Sequence, residues 1–159
     1  MSRLRFWSFA VLVSSVLMGC THRTQPPDTL EAGEKDLIVG VVQDFFQALE
    51  AREDVRLNRV LHEEAQLTRI DARGDTLTVS ALEGADWISS VSGPGPPLIE
   101  RMRDPQVHFS ENLAQVWAYY TFYIGEELSH CGHDAFQLIK TDPEGWRILG
   151  VTYTIEPCL

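Results

Sequence analysis

Hydrophobic and polar positions fall into blocks of different period, and the most strongly patterned block closes the sequence. Three runs, Leu113–Ile124 (LAQVWAYYTFYI), Ser129–Thr141 (SHCGHDAFQLIKT) and Trp146–Ile155 (WRILGVTYTI), are rich in aromatic and β-branched residues. Gly125-Glu126-Glu127 and Asp142-Pro143-Glu144-Gly145 separate them, so the pattern predicts three consecutive antiparallel strands. Upstream, Ile38, Val42, Phe45 and Leu49 recur at spacings of four, three and four, which predicts an amphipathic helix capped by Asp36 and ending near Glu50. Leu57, Val60 and Leu61 mark a shorter helix over Asp54–Glu63. Gln66–Asp71 and Thr76–Val79 alternate as a hairpin around Ala72–Asp75, and Ser80 with Glu83 forms a capping box that opens a third helix to about Ser90. Gly93-Pro94-Gly95-Pro96-Pro97 is a loop, and Leu98–Ser110 is an extended segment interrupted at Asp104-Pro105.

The two turns imply a register. With Ile124 opposite Leu128, Ala118 faces Asp134, Val116 faces Phe136 and Phe122 faces His130; with Thr141 opposite Trp146, Asp134 faces Tyr153, Phe136 faces Val151 and Leu138 faces Leu149. Because strand side chains alternate, one face then carries Ala114, Val116, Ala118, Tyr120, Phe122, His130, Phe136, Leu138, Leu149, Val151 and Tyr153, with Asp134 as its one carboxylate. The other face carries Trp117, Tyr119, Cys131, His133, Gln137, Ile148 and Thr152. It is amphipathic, which predicts helices on the first face and a partner subunit or partial exposure on the second. The same register sets Cys131 opposite Glu156, one same-face step from Cys158, so a disulfide between the two cysteines is geometrically open.

The start of the chain has a different character. Arg3 and Arg5 precede an apolar run from Phe6 to Val16, too short for a comfortable membrane span, and Leu17-Met18-Gly19-Cys20 follows. Those four residues resemble the bacterial lipobox, in which the Cys is diacylated and becomes the mature N-terminus. The resemblance implies a signal peptide over residues 1–19, lipidation at Cys20 and, with Thr21 rather than Asp after it, the periplasmic face of the outer membrane. Residues 20–35, polar with Pro26-Pro27, read as a tether, and residues 36–159 as one domain. Loss of the signal removes two basic residues and takes the formal charge from −10 to −12. A chain this acidic lacks the basic footprint that nucleic acid requires, and it does not adsorb on anionic lipid, so attachment to the membrane falls to the acyl chains.

The order helix, short helix, hairpin, helix and long antiparallel strands argues an α+β fold, a curved antiparallel sheet packed on three helices. It resembles the nuclear-transport-factor-like superfamily, a cone-shaped fold shared by ketosteroid isomerases and polyketide cyclases, over Asp36–Ile155. The words that carry it are Val116-Trp117-Ala118 with Tyr120 and Phe122, then Ser129-His130-Cys131-Gly132-His133-Asp134-Ala135-Phe136-Gln137-Leu138, then Gly145-Trp146, and these look like the lumazine-binding branch. In the resembling enzymes a carboxylate or His inside the cone, next to a phenol, moves a proton. That implies catalytic roles for Asp134, Tyr153 and His130, and a lining of Trp87, Tyr120, Phe122, Phe136 and His62 for a small hydrophobic or aromatic ligand.

Each of these residues has a plainer reading. Asp134 and Tyr153 can be a structural hydrogen bond, Trp87 a core residue and His62 a solvated helix end. His130-Cys131-Gly132-His133 suggests metal at first sight, but a spacing of three on a strand puts the two histidines on opposite faces, so no metal and no cofactor is expected. Two functional classes follow. One is a non-enzymatic, lipid-anchored envelope protein that binds a small ligand or a protein partner and dimerises through the sheet. The other is a cofactor-independent isomerase, dehydratase or cyclase with Asp134 and Tyr153 as its acid–base pair.

Overall fold

Aromatic and β-branched strands paired over a single apolar helix face build the molecule. A computed structural model describes residues 29–158. The expected signal peptide, Cys20, and the tether up to residue 28 lie outside the described residues. Helices α1 (Thr29–Ala51), α2 (Asp54–Val60) and α3 (Gly84–Val91) accompany strands β1 (Leu61–Asp71), β2 (Thr78–Glu83), β3 (Leu98–Phe109), β4 (Leu113–Ile124), β5 (Glu127–Thr141) and β6 (Gly145–Ile155). The strand order is β2-β1-β6-β5-β4-β3, in one curved, unclosed sheet. The expectation of a wholly antiparallel sheet is corrected: β1 runs parallel to β6, from Leu61 beside Ile148 to Asp71 beside Ile155.

Helix α1 begins at Thr29, ahead of the predicted cap at Asp36, so the last part of the expected tether is helical. Tertiary contacts hold these added turns. Glu34 accepts hydrogen bonds from the Lys140 ammonium and the Trp146 indole, each at 2.6 Å. Those bonds, Lys140 first, draw the Glu34 pKa below the ordinary value. The apolar stripe of α1 is buried as its spacing predicts, with Ile38 and Val42 fully covered and Phe45 and Phe46 edge-on to Phe136 of β5. Each such side chain contributes roughly 1.5–3 kcal/mol on burial.

Two predicted helices change at their ends. The second stops at Val60 rather than Glu63, because the Arg147 guanidinium takes the carbonyls of Asn58 and Leu61 and the chain turns into β1. The third starts at Gly84, not at Ser80: Ser80 lies in β2 opposite Arg69, and Glu83 pairs opposite Gln66. Each strand pairing offers the backbone a full ladder, which outweighs one capping box.

The long hairpins follow the predicted register through their centres and depart from it near their turns. Ala118 faces Asp134, Val116 faces Phe136 and Phe122 faces His130, while Asp134 faces Tyr153 and Phe136 faces Val151. At the turns, however, Ile124 pairs with Glu127 and Thr141 with Gly145. The turns are one residue tighter than predicted, with Gly125 (φ 63°) and Gly145 (φ 78°) supplying left-handed backbone, and a bulge in each hairpin absorbs the difference. The second bulge reverses two side chains. Ile148, expected on the outer face, pairs with Leu138 and is fully buried; Leu149, expected inside, is half-buried. A third irregularity, between Arg103 and Gln106 of β3, falls at the Asp104-Pro105 break, where Asp104 has φ 50°.

The Cys131–Cys158 disulfide is present, with a Cα separation of 5.1 Å. Cys131 and Glu156 exchange backbone hydrogen bonds beside it, so the C-terminal segment lies along the middle of β5.

Candidate functional site

The concave sheet face and the helices form a partly open cavity of about 210 Å³. Phe45 and Leu49 of α1, Trp87 and Val91 of α3, and Leu98, Phe122 and Phe136 of the sheet give it an apolar wall. Its polar groups come from five strands: Arg69 of β1, Glu100 of β3, Tyr120 of β4, His130 and Asp134 of β5 and Tyr153 of β6. Trp87 stacks on Phe45 at 5.4 Å, and His130 stacks on Phe122 at 4.8 Å. The aromatic lining is therefore mutually braced.

At the inner end, Asp134 is 1% exposed, opposite the small Ala118. Among the described residues no amide, hydroxyl or cation donates to its buried Oδ2. Its neighbour is the carboxyl group of Glu100, a half-buried residue that also lines the cavity. Two carboxyl groups in contact inside an apolar wall cannot both ionise near neutral pH, so they share a proton. Burial pushes the Asp134 pKa up to about 7, against a smaller lowering by the Glu100 hydrogen bond. Glu100 is pushed up further, first by burial, then by the Asp134 charge and by donating to it. The pair therefore titrates as a unit, holding two protons below about pH 7 and one above it.

The phenols stay protonated. Burial raises both, and the nearby carboxyl charges add to this at Tyr120. Tyr120 donates to the Thr154 carbonyl at 2.6 Å. Its cross-strand partner is Gly132, where a Cβ would lie only 2.0 Å from that same oxygen, so glycine allows the close approach. For Tyr153, Arg69 and the Trp87 side chain oppose the desolvation. His130 is driven down to about 4, chiefly by burial and then by Arg73, so its ring is neutral at physiological pH. Arg69 and Arg73 both hold Asp71, at 2.8 and 2.7 Å.

No protein-family profile matches the chain, and no curated protein matches it in sequence. Solved structures do. An NTF2-like (nuclear transport factor 2-like) superfamily protein from Salmonella enterica serovar Typhimurium superposes with a TM-score of 0.62 at 14% identity, over 80% of this chain and 94% of that one. The chain has the NTF2-like fold. An NTF2-like protein from Cytophaga hutchinsonii matches with a TM-score of 0.62 and 14% identity, over 76% of this chain and 97% of the other. One from Novosphingobium aromaticivorans, described as having a cystatin-like fold, gives 0.63 and 10%, over 79% and 84%. At these identities the likeness concerns the fold of the NTF2-like cone and not its chemistry.

The NTF2-like cone gathers most of the residues singled out from the sequence. Asp134, Tyr153, His130, Trp87, Tyr120, Phe122 and Phe136 all line the one cavity. His62 does not. It sits in β1 rather than at a helix end, and its Nδ1 accepts a hydrogen bond from the Glu64 amide. The reading of Asp134 as the face's one carboxylate is also corrected, because Glu100 joins it. The only sequence signal for Glu100 was its place in the extended run Leu98–Met102, where period-two alternation puts Leu98, Glu100 and Met102 on one side. Arg69 was missed for the same reason: the parallel β1–β6 pairing sets it beside Tyr153. Among the described residues no cluster of three or more metal-type ligands occurs.

Proposed function

We propose that this is a lipid-anchored envelope protein whose NTF2-like cone binds a small, largely apolar ligand without transforming it. The observation that carries the reading is the cavity, about 210 Å³ of space lined by braced aromatic rings with a few convergent polar groups. For scale, a cavity of about 150 Å³ admits benzene. The anchor reading rests on Arg3, Arg5, the apolar run and Leu17-Met18-Gly19-Cys20, and sets the protein on the periplasmic face of the outer membrane. The words around Trp117 and His133 support membership of the lumazine-binding branch. Trp117 (45% exposed), stacked with His133 at 5.3 Å, and Tyr119 support a homodimer through the outer sheet face. Trp117→Glu should then shift the sedimenting species towards monomer; a wild type already monomeric at high concentration removes the dimer.

A second reading is favoured by one observation, the shared-proton pair. Asp134, with a midpoint of about 7, can accept a proton from a bound carbon acid while protonated Tyr153 donates to a developing oxyanion. That is isomerase-, dehydratase- or cyclase-type chemistry without a cofactor.

The test of the first reading is retention. Purified protein incubated with periplasmic extract should hold a small molecule, identified by mass spectrometry, that a cavity-filling Val91→Trp variant does not hold. Identical recovery from both proteins removes the cavity as the site. Chemical conversion of the retained compound by the wild type alone decides for the second reading.

A further inference from the structure

We propose that the ligand is a compact organic cation, an amine on a single-ring or short aliphatic frame, whose ammonium group lies against the Glu100–Asp134 carboxyl pair. This rests on the cavity being a ligand site and names what the site selects. The first argument is charge. Among the described residues the carboxylate–cation pairs lie elsewhere, Lys140 on Glu34 and Arg69 and Arg73 on Asp71, and neither Glu100 nor Asp134 has a cationic partner. A buried carboxyl pair without a counter-charge is costly, and apart from the Glu100 carboxyl no amide, hydroxyl or cation among the described residues donates to the Asp134 Oδ2. An ammonium ion supplies both the charge and the donors.

The walls agree with the floor. Trp87, Tyr120, Phe122 and Phe45 line the cavity, and aromatic rings attract cations. The groups facing the pair from each element do not oppose this. Tyr120 of β4 and Tyr153 of β6 are neutral phenols, and His130 of β5 is a neutral imidazole. Arg69 of β1 is engaged by Asp71, and in the register Tyr153 stands between it and Asp134. Helices α1 and α3 contribute Phe45, Leu49, Trp87 and Val91, none of which titrates. The volume fits one ring with a short aminoalkyl arm.

The pH dependence follows from the pair. Above about pH 7 it carries one negative charge and takes the ammonium directly. Below that it holds two protons and must release one, so affinity falls about tenfold for each pH unit.

Benzylamine and its near-isostere benzyl alcohol, titrated calorimetrically into the full chain, test the proposal. At pH 8 benzylamine should bind at least tenfold more tightly than the alcohol. Its affinity should drop about tenfold by pH 6, with proton release visible in buffers of different ionisation heat. The alcohol should be insensitive to pH. Asp134→Asn should erase the preference while alcohol binding reports an intact cavity; Glu100→Gln gives a second reading should that variant not fold. Equal affinities for amine and alcohol overturn the cation proposal and leave the cavity reading standing. No binding of either overturns both, and a preference that survives both substitutions overturns the placement at the carboxyl pair.

Discussion

Asp134→Asn should have opposite effects on stability at low and high pH. In the native state the Asp134 pKa lies at about 7, whereas in the unfolded chain it returns to the ordinary 3.8. A carboxyl with a raised native midpoint binds more protons folded than unfolded between those values, so native stability falls as pH rises through the window. At about 1.4 kcal/mol per pH unit, the wild type loses on the order of 4 kcal/mol between pH 4 and pH 7 from this residue. Asn has nearly the same shape and does not ionise, so the variant escapes that loss. Its own defect, an altered hydrogen bond to Glu100, costs about 1–3 kcal/mol at any pH. The variant should therefore melt below the wild type at pH 4, where the wild type has lost under about 1 kcal/mol, and above it at pH 8, with the difference moving by roughly 10 °C. His130 acts in the opposite direction, since its lowered native pKa makes stability rise between about pH 4 and 6.5. It is common to both proteins and cancels in the comparison. Melts followed by circular dichroism at half-unit pH steps supply the test. A melting difference that stays constant from pH 5 to pH 8 would refute the shared-proton pair, because two separately solvated carboxyls would show none of this linkage.

Two further outcomes follow from the geometry and the sequence. Gly132→Ala places a Cβ 2.0 Å from the Thr154 carbonyl, a backbone atom that cannot yield cheaply, so the variant should lose more than about 4 kcal/mol in urea unfolding or fail to fold; a near-native melt would contradict the close β5–β6 approach and the Tyr120–Thr154 bond that uses it. Cys20→Ala should abolish lipid labelling and release the protein from the membrane fraction, and unchanged labelling and retention would remove the anchor.

What the sequence by itself determined was local or governed by a strict period. The Leu113–Ile124 strand is found with its predicted ends because twelve consecutive aromatic, β-branched and alternating residues between turn signals admit no competing structure. Period two then placed Asp134, Tyr153, Tyr120, Phe122 and Phe136 on one face, and period 3.6 placed Ile38, Val42, Phe45 and Leu49 in the core. The approach of Cys158 to Cys131 was legible for the same reason, since the central hairpin register carries the tail to Cys131. What only the tertiary structure decided depends on partners far along the chain. Helix α1 starts at Thr29, with the Glu34 of its first turns meeting Lys140 and Trp146, and α2 stops where Arg147 takes its last carbonyls. The inward turn of Ile148 is set by a bulge whose position reflects the whole hairpin. The same holds at the site. Glu100 and Asp134 lie on strands separated by β4, and no periodicity within either strand reveals that the sheet's curvature brings their carboxyl groups together. Alternation fixes the face on which a side chain lies, and the bending of that face under the helices fixes what it meets.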